Sequence, residues 1–243
     1  MSAEPRPAFY ALAPGGWRDY VTLLHPPYTL WHLSYVAIGA GLAPHLEARR
    51  LLVALAAFFL AVGIGAHALD ELNGRPLQTR IPGSVLVALA AGSIGSAVVL
   101  GVYASLTYTP WLAPLVAGGA FIVCAYNLEL FSGMFHSDTW FAVAWGAFPL
   151  LAAYLAAAER ISGEALLAAS FAAFLSLAQR HLSTQVRRMR RRVKAVSGTI
   201  ELVDGELEPV TAETVTAGPE AALRALTVAV TALAAALLVL RLT

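Results

Sequence analysis

The chain has 243 residues, 58% of them hydrophobic and only 13% charged, with a formal net charge of +1 and a mean hydropathy of +0.68. Soluble domains carry about a quarter charged residues, so the composition excludes a soluble globular enzyme and indicates an integral membrane protein; no nucleic-acid partner is expected. The single cysteine, Cys124, excludes a disulfide framework and a thiolate metal cluster, and within its apolar run it reads as a small core residue.

Residues 1–27 carry prolines and scattered charges without the apolar core and small-residue cleavage site of a signal peptide. They read as a retained cytoplasmic N-terminal segment. In "LLHPPYTLWHLSYVAIGAGLA", His25, the Pro26-Pro27 pair and His32 mark the start of the first helix, with Tyr28 and Trp31 read as interfacial belt residues.

Seven apolar segments approach the roughly 20 residues that a bilayer core requires of a helix: 28–45, 50–69, 84–105, 109–131, 139–158, 164–182 and 220–241. The expected fold is therefore an all-α polytopic membrane protein of about seven transmembrane helices. It divides into the N-terminal segment, helices one to six over 28–182, a basic cytoplasmic loop over 183–219, and helix seven over 220–243. Every Lys and Arg except Arg49, Arg50, Arg160 and Arg241 falls on one side, which the retention of positive charge assigns to the cytoplasm. The N-terminus and the polar loops are then cytoplasmic, and the C-terminus lies opposite. Within the last loop, "TIELVDGELEPV" has two strand-like runs around Asp204-Gly205, a dipeptide suited to a two-residue hairpin turn. A small β-hairpin is expected there, packed on the helix ends.

Three polar stretches lie on the cytoplasmic side. In "GIGAHALDELNGRPLQTRIP" (63–82), His67, Asp70 and Glu71 stand at i, i+3 and i+4, a spacing that gathers them on one side of a helix for metal binding or proton transfer. The plainer reading is the polar end of a membrane helix, with Asn73-Gly74 as its stop signal. In "CAYNLELFSGMFHSDTWF" (124–141), Asn127, Glu129, His136 and Asp138 form a second cluster. Glu129 follows a long apolar run, which places it partly inside the membrane, and Asp138 can equally cap the next helix. In "LAQRHLSTQVRRMRRRVK" (177–194), Arg190 to Lys194 read as a headgroup anchor. Arg180, His181 and Arg187 precede or open that cluster, where a planar guanidinium can clamp a phosphate.

Together these pieces resemble the UbiA superfamily of intramembrane prenyltransferases, which attach isoprenoid chains to aromatic or other acceptors. The resemblance runs from "LLHPPYTLWHLSYVAIGAGLA" through the loop ending in "RPL" to "AYNLELF" and "AWGAFPLLAAYLA", and covers most of the chain. It implies a UbiA-like bundle and a site where magnesium, held by two aspartate-rich motifs, binds a prenyl diphosphate. The first family motif is Asn-Asp-x-x-Asp-x-x-x-Asp. Aligned on Asp70, it meets Ala66, His67 and Gly74 in place of its other three residues. The second should fall near "RHLSTQVRRMRRR", where no acid remains. The family's usual nine helices are also reduced to seven.

The resemblance implies a transferase acting on an isoprenoid or lipid diphosphate. Asp70, Glu71 and His67 would hold one Mg2+ or Mn2+, and Asn73, Arg75, Arg180 and Arg187 would bind the diphosphate. Two readings compete with it. One is a membrane enzyme built on a transition metal, since imidazole ligands favour such ions over magnesium. The other is a non-catalytic lipid or quinone binder. If Asp70 holds a cation, Asp70→Asn should abolish diphosphate binding.

Overall fold

The computed structural model describes residues 6–242. A short helix α1 (Trp17–Leu23) leads to α2 (Pro26–Leu42), where Pro26 and Pro27 occupy first-turn positions that need no amide donor. Next comes α3 (Ala48–Leu72), with a π-helical segment over Phe59–Ala66. It is followed by α4 (Gly83–Thr107) and α5 (Leu112–Asn127). A second π-helical segment, Ala142–Ala147, lies within α6 (Asp138–Ala158). The chain continues through α7 (Gly163–Arg192), β1 (Thr199–Glu201), β2 (Leu207–Pro209) and α8 (Ala212–Leu242).

Each of the seven apolar segments contains a helix. Among the described residues, five helices are long and apolar enough to cross a membrane: α3, α4, α6, α7 and α8. With 17 residues α2 and with 16 residues α5 fall short of the roughly 20 that an untilted span needs. Hydropathy marks apolar length and not helix ends, and three boundaries differ from expectation for that reason. α7 continues to Arg192 because Gln, Leu and Arg are good helix formers outside lipid as well. α8 begins at Ala212, where the Thr211 hydroxyl accepts the Thr214 amide as a cap. α5 stops at Asn127, so Glu129 lies beyond the helix, exposed and with φ 51. Much of the basic loop expected over 183–219 is therefore helical.

Two packed halves share the core. In one, α3, α4 and α5 enclose Val62, Leu69, Leu86, Val123 and Tyr126. In the other, α2, α6, α7 and α8 enclose Trp31, Tyr35, Leu150, Ala172 and Val230. Trp31 is wholly buried and donates its indole N–H to the Tyr35 hydroxyl at 2.6 Å. It is a core residue, in contrast to the expected interfacial role. The second half depends on close backbone approach, since a Cβ on Gly39 of α2 would lie 2.1 Å from the Leu150 carbonyl oxygen of α6.

The hairpin forms as expected, with Ile200 opposite Glu208 in an antiparallel pair. Its turn has three residues instead of two. The Gly205 amide donates to Leu202 O and the Leu202 amide to Glu206 O, with Gly205 at φ 85, the type I turn with a bulge that suits a three-residue loop. All six strand residues are exposed. Among the described residues, no hydrogen bond ties either strand to the helices, so the hairpin does not cap the bundle as expected.

Candidate functional site

Successive long helices reverse direction, so the end of α3, the connection 128–137, the end of α7 and the start of α2 meet at one end of the bundle. There they enclose a cavity of about 90 Å³, roofed by residues 7–10 of the N-terminal segment. Both π-helical segments border it. His67 follows the first, and Trp145 lies within the second. Such segments often mark functional sites in helices.

Four imidazoles line this cavity: His25, His32, His67 and His136. The Nδ1 of His32 lies 2.8 Å from Trp145 O, that of His67 3.1 Å from Gly63 O, and that of His136 3.1 Å from Tyr126 O. A carbonyl only accepts, so each Nδ1 carries the proton and donates it, leaving Nε2 of the neutral ring as an acceptor. His25 stacks on His67 with ring centroids 4.0 Å apart. It adopts the left-handed region at φ 46, ψ 57, a strained conformation for a residue other than glycine. Its Nδ1 shares a 2.8 Å hydrogen bond with the Tyr10 hydroxyl, while its buried Nε2 has no hydrogen-bond partner.

Burial raises the Tyr10 hydroxyl well above its ordinary range. Burial holds His25 well below the usual imidazole range. A neutral His25 keeps the N-terminal segment in place. In the unfolded chain His25 titrates near about 6.5, so its contribution is fully present above that pH and is lost as pH falls through the depressed folded value. Amide protection of residues 8–12 should therefore be constant from about pH 8 to 7 and decline below about pH 6. Protection that stays unchanged down to about pH 5 would contradict this reading of the Tyr10–His25 contact.

The expected His67, Asp70 and Glu71 cluster is divided. Residues 70 and 71 lie about 100° apart around a helix. Asp70 turns into the cavity, whereas Glu71 turns to the connection behind it. There the Glu71 carboxylate is wholly buried and accepts the Leu77 amide at 2.9 Å, and the Thr79 amide and hydroxyl at 2.8 Å each. It braces the loop. Arg75 does the same from within, donating to Thr79 O at 3.2 Å and to Ile81 O at 2.6 Å, so its guanidinium is occupied by its own connection. Asn73 is exposed and donates to Asn127 O at 3.2 Å.

Of the second cluster, Asn127 and His136 line the cavity. Glu129 sits outside, 3.9 Å from His136 Nδ1. Asp138 is not the cap expected of it. Ser137 caps α6 through the Trp140 amide, and Asp138 instead pairs with Arg180, which also donates to the Tyr126 hydroxyl. His181 is exposed and does not line the cavity.

Arg180, Arg187 and Arg191 all reach the cavity from α7. Their spacing of 7 and 4 residues returns to one helix face. Arg191 had been expected among lipid headgroups with its neighbours. Its Nε donates to Pro7 O at 3.2 Å, while Arg190 pairs with Glu220 at 2.6 Å. Tyr10, His25, Tyr28, His32 and Arg191 are among the cavity residues that sequence reasoning missed, Tyr28 having the place of an interfacial belt residue in that reading. The available signal was the recurrence of histidine at 25 and 32, but His25 precedes α2 in the left-handed region, so helical spacing does not relate the two rings.

A divalent-metal site of the kind implied by the resemblance does not fit these residues. Among the described residues, Asp70 is the one carboxylate lining the cavity, and no group of three or more His, Cys, Asp or Glu side chains is placed to hold a metal ion. The same inventory offers nothing for the transition-metal alternative.

A second, apolar groove of about 110 Å³ lies further along the same helices, lined by Ala57, Phe58, Ala61, Gly101, Gly119 and Phe148 among others. It continues to Val123, three residues before Tyr126 of the polar cavity, and Phe148 lies three residues after Trp145. The two spaces thus follow one another along α5 and α6. No family model matches the chain, and no curated protein or solved structure matches it.

Proposed function

We propose that the protein is a divergent membrane transferase of UbiA type that holds the diphosphate head of an isoprenoid or lipid in the polar cavity and its chain in the apolar groove. The observation that carries this reading is the cavity wall of Arg187 and Arg191, whose guanidinium groups have no carboxylate partner within 4 Å among the described residues. Half-buried cations with no ion-pair partner favour an anionic ligand, and the groove beyond them suits an apolar chain.

In the reaction the bond between the substrate's first carbon and the bridging diphosphate oxygen breaks, and its electron pair leaves with the diphosphate. Arg187 and Arg191 stabilise that growing charge. The faces of Tyr126, Phe141 and Trp145, packed with centroids 4.4 to 6.1 Å apart, offer electron density to the developing carbocation. The acceptor's nucleophilic atom forms the new bond and passes its proton to an imidazole Nε2, a role open to His67. The wall residue Arg180, neutralised by Asp138, positions Tyr126.

Protein in lipid vesicles, given radiolabelled farnesyl diphosphate and a lipid extract as acceptor source, should move label into a lipid without diphosphate. Label that stays on farnesyl diphosphate, with the head still bound, would favour the second reading, a non-catalytic binder. That reading draws on the commitment of Glu71 to the loop.

The same proposal includes seven spans, with α2 and α5 crossing in a tilted or locally thinned bilayer, and the cavity on the cytoplasmic side. A reporter fused after Lys194 should read cytoplasmic and one fused at Thr243 the opposite side. Both on one side would remove a span.

A further inference from the structure

We infer that the cavity binds a diphosphate without a divalent cation, on a clamp of Arg187 and Arg191 facing His25. This rests on the diphosphate reading above and specifies how that site works.

The carboxylates that would hold a cation are otherwise engaged. Glu71 accepts three hydrogen bonds from its loop, Asp138 is taken by Arg180, and Glu220 by Arg190. Asp19 accepts the Gly15 and Arg80 amides, each at 2.9 Å. Asp70 remains, and among the described residues no ion pair within 4 Å joins it to Arg187 or Arg191, although all three line the same cavity. Opposite charges thus face one another across an open space.

Cations on the wall are in better supply. Arg187 and Arg191 are one helical turn apart, a rise of about 6 Å, which lets two planar guanidinium groups address the two phosphates of one head in bidentate fashion. Beyond the Thr184 hydroxyl for Arg187 at 3.0 Å and Pro7 O for Arg191 at 3.2 Å, neither has another hydrogen bond among the described residues, and most of their N–H groups are free for a ligand. His25 supplies an independent sign of one. Its ring is more than nine-tenths buried, lines the cavity, and its Nε2 is unpartnered. A buried polar atom left unbonded is costly, and a phosphate oxygen would satisfy it when Nε2 carries the proton.

The clamp reverses the sign of the Asp70 prediction made from the sequence. If Asp70 held a cation, Asp70→Asn would abolish binding. In an arginine clamp, Asp70 is a negative charge opposing an anion, and its removal strengthens binding.

The test is equilibrium binding of radiolabelled inorganic pyrophosphate to the full chain in phosphatidylcholine nanodiscs, with Mg2+ or with EDTA. Wild-type affinity in EDTA should stay within about threefold of its value in Mg2+, and Arg187→Gln should weaken it about tenfold or more, the scale of one lost charge-assisted contact. Arg187→Lys should retain part of it, and Asp70→Asn should bind more tightly. Binding that vanishes in EDTA, or that Asp70→Asn abolishes while the variant stays folded, would overturn the clamp and leave the diphosphate reading intact. Folded wild type that binds pyrophosphate in neither condition would overturn both. The EDTA comparison needs no variant, so it decides even if a substitution fails to fold.

Discussion

Glu71→Ala is expected to destabilise the protein by about 3 kcal/mol or more, because it strands two backbone amides and a hydroxyl at once and each buried orphan costs about 1–3 kcal/mol. The Glu71 side chain is fully enclosed, and its two oxygens divide the work: Oε2 accepts the Leu77 amide and Oε1 the Thr79 amide and hydroxyl. No water can replace them without opening the connection 73–82. Glu71→Gln should cost less, since its amide oxygen keeps part of the set while its NH2 meets a donor. Thermal unfolding in detergent, with hydrogen exchange at residues 76–80, reads both variants. Wild-type stability in Glu71→Ala would mean that the loop holds its shape without the carboxylate, and would return Glu71 to the pool of possible ligands.

Gly39→Ala should damage the other half of the bundle. The added methyl would start 2.1 Å from Leu150 O and 2.9 Å from Leu150 C, atoms of helix backbone that no rotamer change can move aside. Overpacking of a tight core costs about 1–3 kcal/mol when side chains can yield, and here α2 and α6 must separate. We expect a lower unfolding temperature and reduced recovery of folded protein. Gly92→Ala is the matched control. Nothing lies within 4 Å of its added methyl, so the variant should be neutral or gain about 0.5 kcal/mol from helix propensity. Equal behaviour of the two variants would remove close backbone packing as the reason for Gly39.

The apolar helices were legible in the sequence because lipid selects for long runs of one residue class, and hydropathy reads such runs directly. The hairpin was legible for a local reason, the Asp204-Gly205 turn. The candidate site was only half legible. Spacing placed His67, Asp70 and Glu71 near one another, but it could not decide between the side of the helix that faces the cavity and the side that faces its own loop. Two adjacent acids met opposite fates on that account. Arg191 was hidden within a run of arginines that reads as a headgroup anchor, because composition cannot distinguish Arg190, paired with Glu220, from its neighbour in the cavity. Tyr10 lies in a segment without periodicity, and its bond to His25 spans 15 residues of chain, a contact that no local pattern encodes.

The central claim is that the arginines of α7 recognise the diphosphate of a lipid-like molecule. It is tested most directly by retention of radiolabelled farnesyl diphosphate on the nanodisc-embedded protein, with the wild type set beside the Arg187→Gln/Arg191→Gln double variant. Wild type should retain the label, unlabelled farnesyl diphosphate and pyrophosphate should displace it, farnesol should not, and the folded double variant should lose affinity by about a hundredfold, two charge-assisted contacts' worth. Equal retention by wild type and the folded double variant, or displacement by farnesol as readily as by pyrophosphate, would contradict the claim.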